Sequence, residues 1–158
     1  MKEELIVKKL IDNKETISSM ESCTAGYFAT TITNVSGSSE VLLYSAITYS
    51  NEFKIKMGVP KEIIDKYTVY SIETSASMAK EITKFSSSTY GVGITGQIGR
   101  IDPSNNTGNV NEIFVTIYNS KNDKYHSFKI NTKEETRLEN KKYIVNKILD
   151  ELLNILQE

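Results

Sequence analysis

A three-layer α/β/α sandwich with a mixed sheet of about five strands is the fold class that the sequence predicts. Three observations point to it. Short apolar runs bounded by polar turns alternate with segments whose apolar residues recur at helical spacing. A strand, a helix and a second strand open the chain in the order of a parallel crossover. Near the other end, an apolar run at 113–118 and an alternating run at 124–130 are joined by the short turn Asn119–Asp123, which predicts an antiparallel hairpin.

Residues 2–12 read as an opening helix with Ile6, Leu10 and Ile11 inward, ended by Asn13-Lys14. Thr16–Met20 reads as a buried strand, and Ala25, Phe28, Ala29 and Ile32 mark one face of the following helix. After the polar loop Asn34–Ser39, Val41–Tyr49 is mostly apolar and predicts a second buried strand. Ser50-Asn51-Glu52 opens a short helix through Lys54 and Met57, ended by Gly58. Pro60 suits the first turn of a helix over 60–66. Ser71 caps a longer helix with Met78, Ile82 and Phe85 on one face. Tyr90–Ile94 reads as a third strand whose glycines imply close approach by a neighbour. Gly96–Asn111 is the longest irregular stretch, a length that usually marks function or disorder. Thr132-Lys133-Glu134-Glu135 has capping-box spacing and predicts the start of a last helix, with Leu138, Val145, Ile148, Leu149, Leu152 and Leu156 inward.

The 158 residues amount to about one domain, so 1–158 is expected to be a single unit. With 19 basic and 20 acidic residues, the charge gives no footprint for nucleic acid. One cysteine allows no internal disulfide, and one cysteine with one histidine excludes a Cys/His zinc site within a chain. No EF-hand-like loop occurs, no apolar run reaches a membrane span, and Met1-Lys2-Glu3-Glu4 does not open a signal peptide. The expectation is a cytoplasmic protein with no metal and no membrane partner.

The candidate chemistry sits in Met20-Glu21-Ser22-Cys23-Thr24-Ala25-Gly26, a polar junction between strand and helix. Free backbone N–H groups at such a turn favour negative charge and can stabilise an oxyanion beside a nucleophilic hydroxyl. Alternatively, Ser22 and Thr24 simply cap the helix. Cys23 is a rival nucleophile, or a small buried hydrophobe. His126, the sole histidine, lies in the alternating strand, where it reads as a surface residue rather than as the base of a triad. Lys54 is the other candidate base. It follows the second strand, and parallel strands of a crossover end on the same edge of the sheet. A lysine forced into that apolar junction would lose stability of its charged form and could accept the serine proton. Tyr49 could relay or orient. Otherwise Lys54 is a solvated helix lysine and Tyr49 a core aromatic.

Glu21-Ser22-Cys23-Thr24-Ala25-Gly26, Gly37-Ser38-Ser39, Thr48-Tyr49-Ser50-Asn51-Glu52-Phe53-Lys54 and Thr95-Gly96 together resemble the CinA C-terminal domain family. The family pattern runs ESCTGG, GSS, TYSNEAK, a GVS-like segment, TGIAGP and a VGTV strand, in this order over nearly the whole chain. The resemblance is to the stand-alone form, without the molybdopterin-type N-terminal domain of longer members. It implies a nicotinamide mononucleotide deamidase, a hydrolase releasing nicotinic acid mononucleotide and ammonia through a Ser-Lys dyad without metal or organic cofactor. Ser22 and Lys54 match the dyad, and Tyr49 the tyrosine of TYSNEAK. The N–H groups of Cys23 and Thr24 are then expected to form the oxyanion hole. Ser38, Ser39, Thr95 and Gly96 are candidate phosphate donors, as is Arg137, which matches an arginine of the family's GDRxxVR segment. Ser38 and Ser39 also read as a capping loop, and Arg137 as a surface helix residue. A homo-oligomer would be in keeping with the family.

The chain departs from the pattern. Ala25 replaces a glycine of ESCTGG, and Thr68-Val69-Tyr70-Ser71 replaces GAVS. Gln97-Ile98-Gly99-Arg100 replaces the end of TGIAGP, and Val110-Asn111-Glu112-Ile113 stands where VGTV is usual. Tyr70, Gln97 and Arg100 could reshape the pocket. The alternatives are therefore an amidohydrolase of another amide, or a nucleotide sensor with little turnover.

Overall fold

The computed structural model describes residues 1–133 and 135–158. Five strands form one sheet in the order β2-β1-β3-β4-β5: β1 (Ile17–Glu21), β2 (Leu42–Ile47), β3 (Tyr90–Gly96), β4 (Glu112–Asn119) and β5 (Lys124–Asn131). β1 runs parallel to both β2 and β3, and β3-β4-β5 is antiparallel, so the sheet is mixed as expected. Helices α1 (Lys2–Asn13), α2 (Tyr27–Thr33) and α6 (Arg137–Gln157) pack together over one face. Helices α4 (Lys61–Tyr67) and α5 (Ile72–Ser86) lie against the other face, and short α3 (Asn51–Lys56) follows β2. The apolar residues divide accordingly. A larger cluster joins Ile6, Leu10, Phe28, Ile32, Ile148 and Leu152 to the strands, and a smaller one joins Met20, Val59, Ile64, Met78 and Ile82.

Two glycines of β3 set how closely α5 sits. A Cβ on Gly93 would lie 2.2 Å from the Ser75 carbonyl oxygen, and one on Gly91 2.2 Å from that of Ala79. These are the close approaches that the strand glycines predicted. Ser71 caps α5 by accepting from Thr74 N–H, and Ser50 caps α3 by accepting from Phe53 N–H.

Four local expectations are corrected. β2 is an edge strand with Leu43, Tyr44 and Ile47 exposed, not a buried one, because a single neighbour leaves its far side open. Phe85 is exposed and packs its ring against Tyr44, because it points away from the side of the last turn of α5 on which Ile82 is buried and Ser86 meets Ser18 of β1. Leu138 is exposed, one turn before α6 reaches the core. The capping box of α6 is Thr136 with Glu139, not the segment at 132–135, of which Glu134 lies outside the described residues. Thr132 instead binds the Asn111 carbonyl through its N–H and its hydroxyl.

Candidate functional site

β1 and β2 end together, with Glu21 opposite Ile47. Whatever follows each strand is therefore brought to one edge. After β1 the chain turns through Ser22–Gly26 into α2; after β2 it passes Thr48 and Tyr49 into α3. Lys54, on the first turns of α3, extends back beneath this edge and is 2% exposed. Its Nζ donates to Ser22 Oγ at 3.0 Å and to the Thr48 carbonyl at 2.7 Å. Burial disfavours its charged form and lowers its pKa to about 8.

The turn itself is held by Glu21. This buried carboxylate accepts from Ser19 Oγ (3.0 Å), Thr24 Oγ1 (2.7 Å), Phe28 N–H (3.0 Å) and Ala29 N–H (3.1 Å). Two of these donors belong to the first turn of α2, where a helix has N–H groups to spare and favours negative charge. Within the turn, Ala25 N–H donates to the Ser22 carbonyl and Tyr27 N–H to that of Thr24. Among the described residues, the N–H groups of Cys23 and Thr24 donate to no backbone carbonyl.

Ser22 opens into a cavity of about 700 Å³. Tyr49, Ser50 and Asn51 line one side, and Tyr70 and the 96–105 segment another, with Arg137 at the rim. Gln97, buried, organises the long loop: its Oε1 accepts from Asp102 N–H, its Nε2 donates to the Thr107 carbonyl, and its own carbonyl accepts from Asn111 N–H. Asn105 and Asn51 pair their amides reciprocally at 2.8 and 3.2 Å, tying this loop to α3.

The residues singled out in the sequence are distributed as follows. Ser22, Cys23, Tyr49, Gly96 and Arg137 line the cavity, with Lys54 directly behind Ser22. Tyr49 is exposed, and its hydroxyl accepts from Arg137 at 3.3 Å. It touches Arg137 rather than the Ser22–Lys54 pair, and it is not a core aromatic. Arg137 also donates to the Ile98 carbonyl. Cys23 is buried in the larger core cluster, and burial pushes its thiol up to about 12, which suits the hydrophobe and not the nucleophile. Thr24 gives its hydroxyl hydrogen to Glu21, leaving its backbone N–H as the group it can offer a ligand. Thr95 is fully buried and donates to the Val69 carbonyl, so it holds the wall instead of lining it.

Ser38 and Ser39 are corrected outright. They form a 3-10 turn just before β2, whose first residue lies opposite Ile17 at the start of β1. Ser22 follows the other end of that strand, roughly 15 Å away at about 3.3 Å per residue. The two serines thus lie in a turn at the opposite end of β1 from Ser22. His126 lies on β5, the opposite margin of the sheet from β2, and no triad with Ser22 forms. Sequence reading missed Glu21 as the anchor of the turn, although an acidic residue shortly before a helix start was a signal for it. It also missed Asp102, Asn51 and Asn105, because an irregular loop has no periodicity to say which side chains turn inward.

Among the described residues, no helix is long and apolar enough to cross a membrane and no group of three or more His, Cys, Asp or Glu side chains could hold a metal ion. The chain is similar to known proteins in sequence and in shape. A putative competence-damage inducible protein of Clostridium perfringens is 45% identical over 98 residues, covering 61% of this chain and 24% of that protein. A CinA-like protein of Endomicrobium trichonymphae is 39% identical over 142 residues, covering 89% of this chain and 32% of its own length. The chain therefore spans between a quarter and a third of the length of these relatives. In shape it resembles the competence or damage-inducible protein of Enterobacter asburiae, with a TM-score of 0.90 at 19% identity over 98% of this chain and 96% of that one. It resembles CihA of Agrobacterium tumefaciens with a TM-score of 0.84 at 24% identity, over 100% and 97%. The model of the CinA C-terminal domain matches residues 1–156, and the chain belongs to that family.

Proposed function

We propose that this chain hydrolyses the carboxamide of nicotinamide mononucleotide, releasing nicotinic acid mononucleotide and ammonia. The observation that carries the reading is the buried amine of Lys54 at 3.0 Å from Ser22 Oγ. A serine hydroxyl is a weak nucleophile until a neighbouring base takes its proton. An amine that gives up its own proton near pH 8 is such a base in the neutral range. In the neutral amine, one hydrogen stays on the Thr48 carbonyl and the lone pair is free for the Ser22 hydroxyl.

Ser22 Oγ attacks the amide carbon while its proton passes to Lys54. The C=O electron pair moves onto oxygen, and the Cys23 and Thr24 N–H groups receive that oxyanion. When the intermediate collapses, Lys54 returns the proton to the nitrogen and ammonia leaves. The resulting ester is opened by water, which delivers one proton to Lys54 and its oxygen to the carbon. Ser22 recovers its hydrogen from Lys54, and the carboxylic acid departs. No metal or organic cofactor enters any step. The exposed guanidinium of Arg100 and that of Arg137 at the rim are suited to a phosphate.

The test is ammonia release from nicotinamide mononucleotide by the purified protein and by Ser22→Ala and Lys54→Ala. Loss in both variants is expected. Equal rates in all three would remove the pair from the chemistry, and tight binding of the mononucleotide without product would favour a sensor.

A further inference from the structure

Two segments that depart from the family pattern meet inside the cavity. Tyr70, where the pattern has a small residue, donates its hydroxyl to Asp102 Oδ2 at 2.8 Å. Asn105 Nδ2 donates to the same oxygen at 3.0 Å, and Ser104 N–H donates to Oδ1 at 2.9 Å. Both Tyr70 and Asp102 line the cavity that contains Ser22. The Asn105 bond above all, with the Ser104 and Tyr70 bonds, holds the Asp102 carboxyl below the usual carboxylate range. A fixed negative charge therefore faces the space in which a substrate of Ser22 must lie.

The other charges of the cavity are arranged differently. Glu52 is exposed and paired with Lys56 at 2.8 Å. Arg137 donates to the Ile98 carbonyl and Tyr49, and Arg100 is exposed at the rim. Lys54 is the cation that acts on Asp102, from behind Ser22. The two guanidiniums are thus exposed, while the Asp102 carboxylate is half-buried in the wall between Tyr70 and Asn105. An anionic group of the ligand is repelled from Asp102 and directed to the guanidiniums. A delocalised cation need donate no hydrogen bond to a carboxylate whose lone pairs are largely taken. It is attracted by charge, and by the face of an aromatic ring such as Tyr70.

We propose that Asp102, held in place by Tyr70 and Asn105, is a specificity-determining residue of this cavity. Its carboxylate is the counter-ion to a positively charged, N-substituted pyridine ring, so the chain takes cationic carboxamides in preference to neutral ones of the same shape. This inference rests on the amide-hydrolase reading of the cavity. It adds the charge of the acyl group and the residue that senses it.

The experiment compares nicotinamide mononucleotide with its 1,4-dihydro form, which keeps the phosphate, ribose and carboxamide but has a neutral ring. Affinities are measured by calorimetry on Ser22→Ala, in which turnover cannot consume the ligand. The expected result is about tenfold tighter binding of the cationic form, as one partly screened charge pair supplies. Adding Asp102→Asn should bring the two affinities together, and adding Tyr70→Phe, which frees the carboxylate on one side, should narrow the gap. Equal affinities in Ser22→Ala, or a preference that survives Asp102→Asn, would overturn the inference. If the Asp102-dependent preference is found but the unmodified chain releases no ammonia, the charge selection stands and the hydrolase reading fails. Ammonia release without the preference leaves the hydrolase reading standing and removes the charge selection, and binding of neither ligand sinks both.

Discussion

Lys54 Nζ lies 3.0 Å from Ser22 Oγ although the two are 32 positions apart in the chain. The contact follows from the parallel pairing of β1 and β2, which finish side by side and deliver the turn and α3 to one edge. Because burial lowers the Lys54 pKa to about 8, activity should follow its loss of a proton. The rate kcat/KM is expected to fall about tenfold per pH unit below pH 8 and to level off above it. Lys54→Arg, which stays charged at all these values, should abolish turnover while leaving circular dichroism unchanged. A Lys54→Arg variant with a normal rate would contradict the assignment.

The same burial has a cost in stability. The folded chain holds a lysine whose pKa is depressed from 10.5 to about 8, so the unfolded chain binds the proton more tightly. Below pH 8 both states are protonated and the penalty is fully present; it is relieved as pH rises from about 8 to 10.5. Lys54→Met is therefore expected to raise stability at pH 7 by about 1–3 kcal/mol, the desolvation term less the lost hydrogen bonds. The difference from the unmodified chain should shrink across that window in denaturant melts. A destabilised Lys54→Met variant would show that the two hydrogen bonds outweigh desolvation.

Three positions where the family pattern carries glycine have lost it here, and all three keep a positive φ. Ala25 stands at φ 48, Thr68 at φ 69 and Asn111 at φ 65. The backbone has retained a conformation that glycine adopts freely and other residues adopt at a cost. At Thr68, ψ is 167, in a region that suits glycine alone, and the side chain is β-branched. Thr68→Gly should stabilise by about 1–2 kcal/mol, Ala25→Gly by about 0.5–1, and Asn111→Gly least, since Asn tolerates this conformation. Urea midpoints give the ranking; a destabilising Thr68→Gly would mean that its side-chain contacts outweigh the strain.

Glu21 gathers four donors, one from β1, one from the turn and two from the first turn of α2. Glu21→Ala leaves them unsatisfied in a buried place and is expected to cost about 3–5 kcal/mol. Glu21→Gln retains part of the set and should fold, with kcat lowered more than KM is raised, because the turn that aims Ser22 loosens. A Glu21→Gln variant with unchanged kcat would restrict this residue to stability.

Much of the fold was legible in order along the chain. Apolar runs and helical spacing marked the elements, Ser50 and Ser71 marked helix starts, and Gly91 and Gly93 announced the close contact with α5. Local pattern did not tell a buried strand from an apolar edge strand, and so misjudged β2, because burial depends on having a neighbour on each side.

By itself, the sequence determined the strand–turn–helix that carries Ser22, the segment that carries Lys54, and the loop that faces them, since each rests on local spacing and turn chemistry. Tertiary structure alone decided which of these meet. It joined Lys54 to Ser22 and Tyr70 to Asp102, removed Thr95 into the wall, and sent Ser38 and Ser39 to the opposite end of β1. The reason is physical. Strand order and register select which chain ends share an edge, and burial then selects which side chains lose water and which keep it.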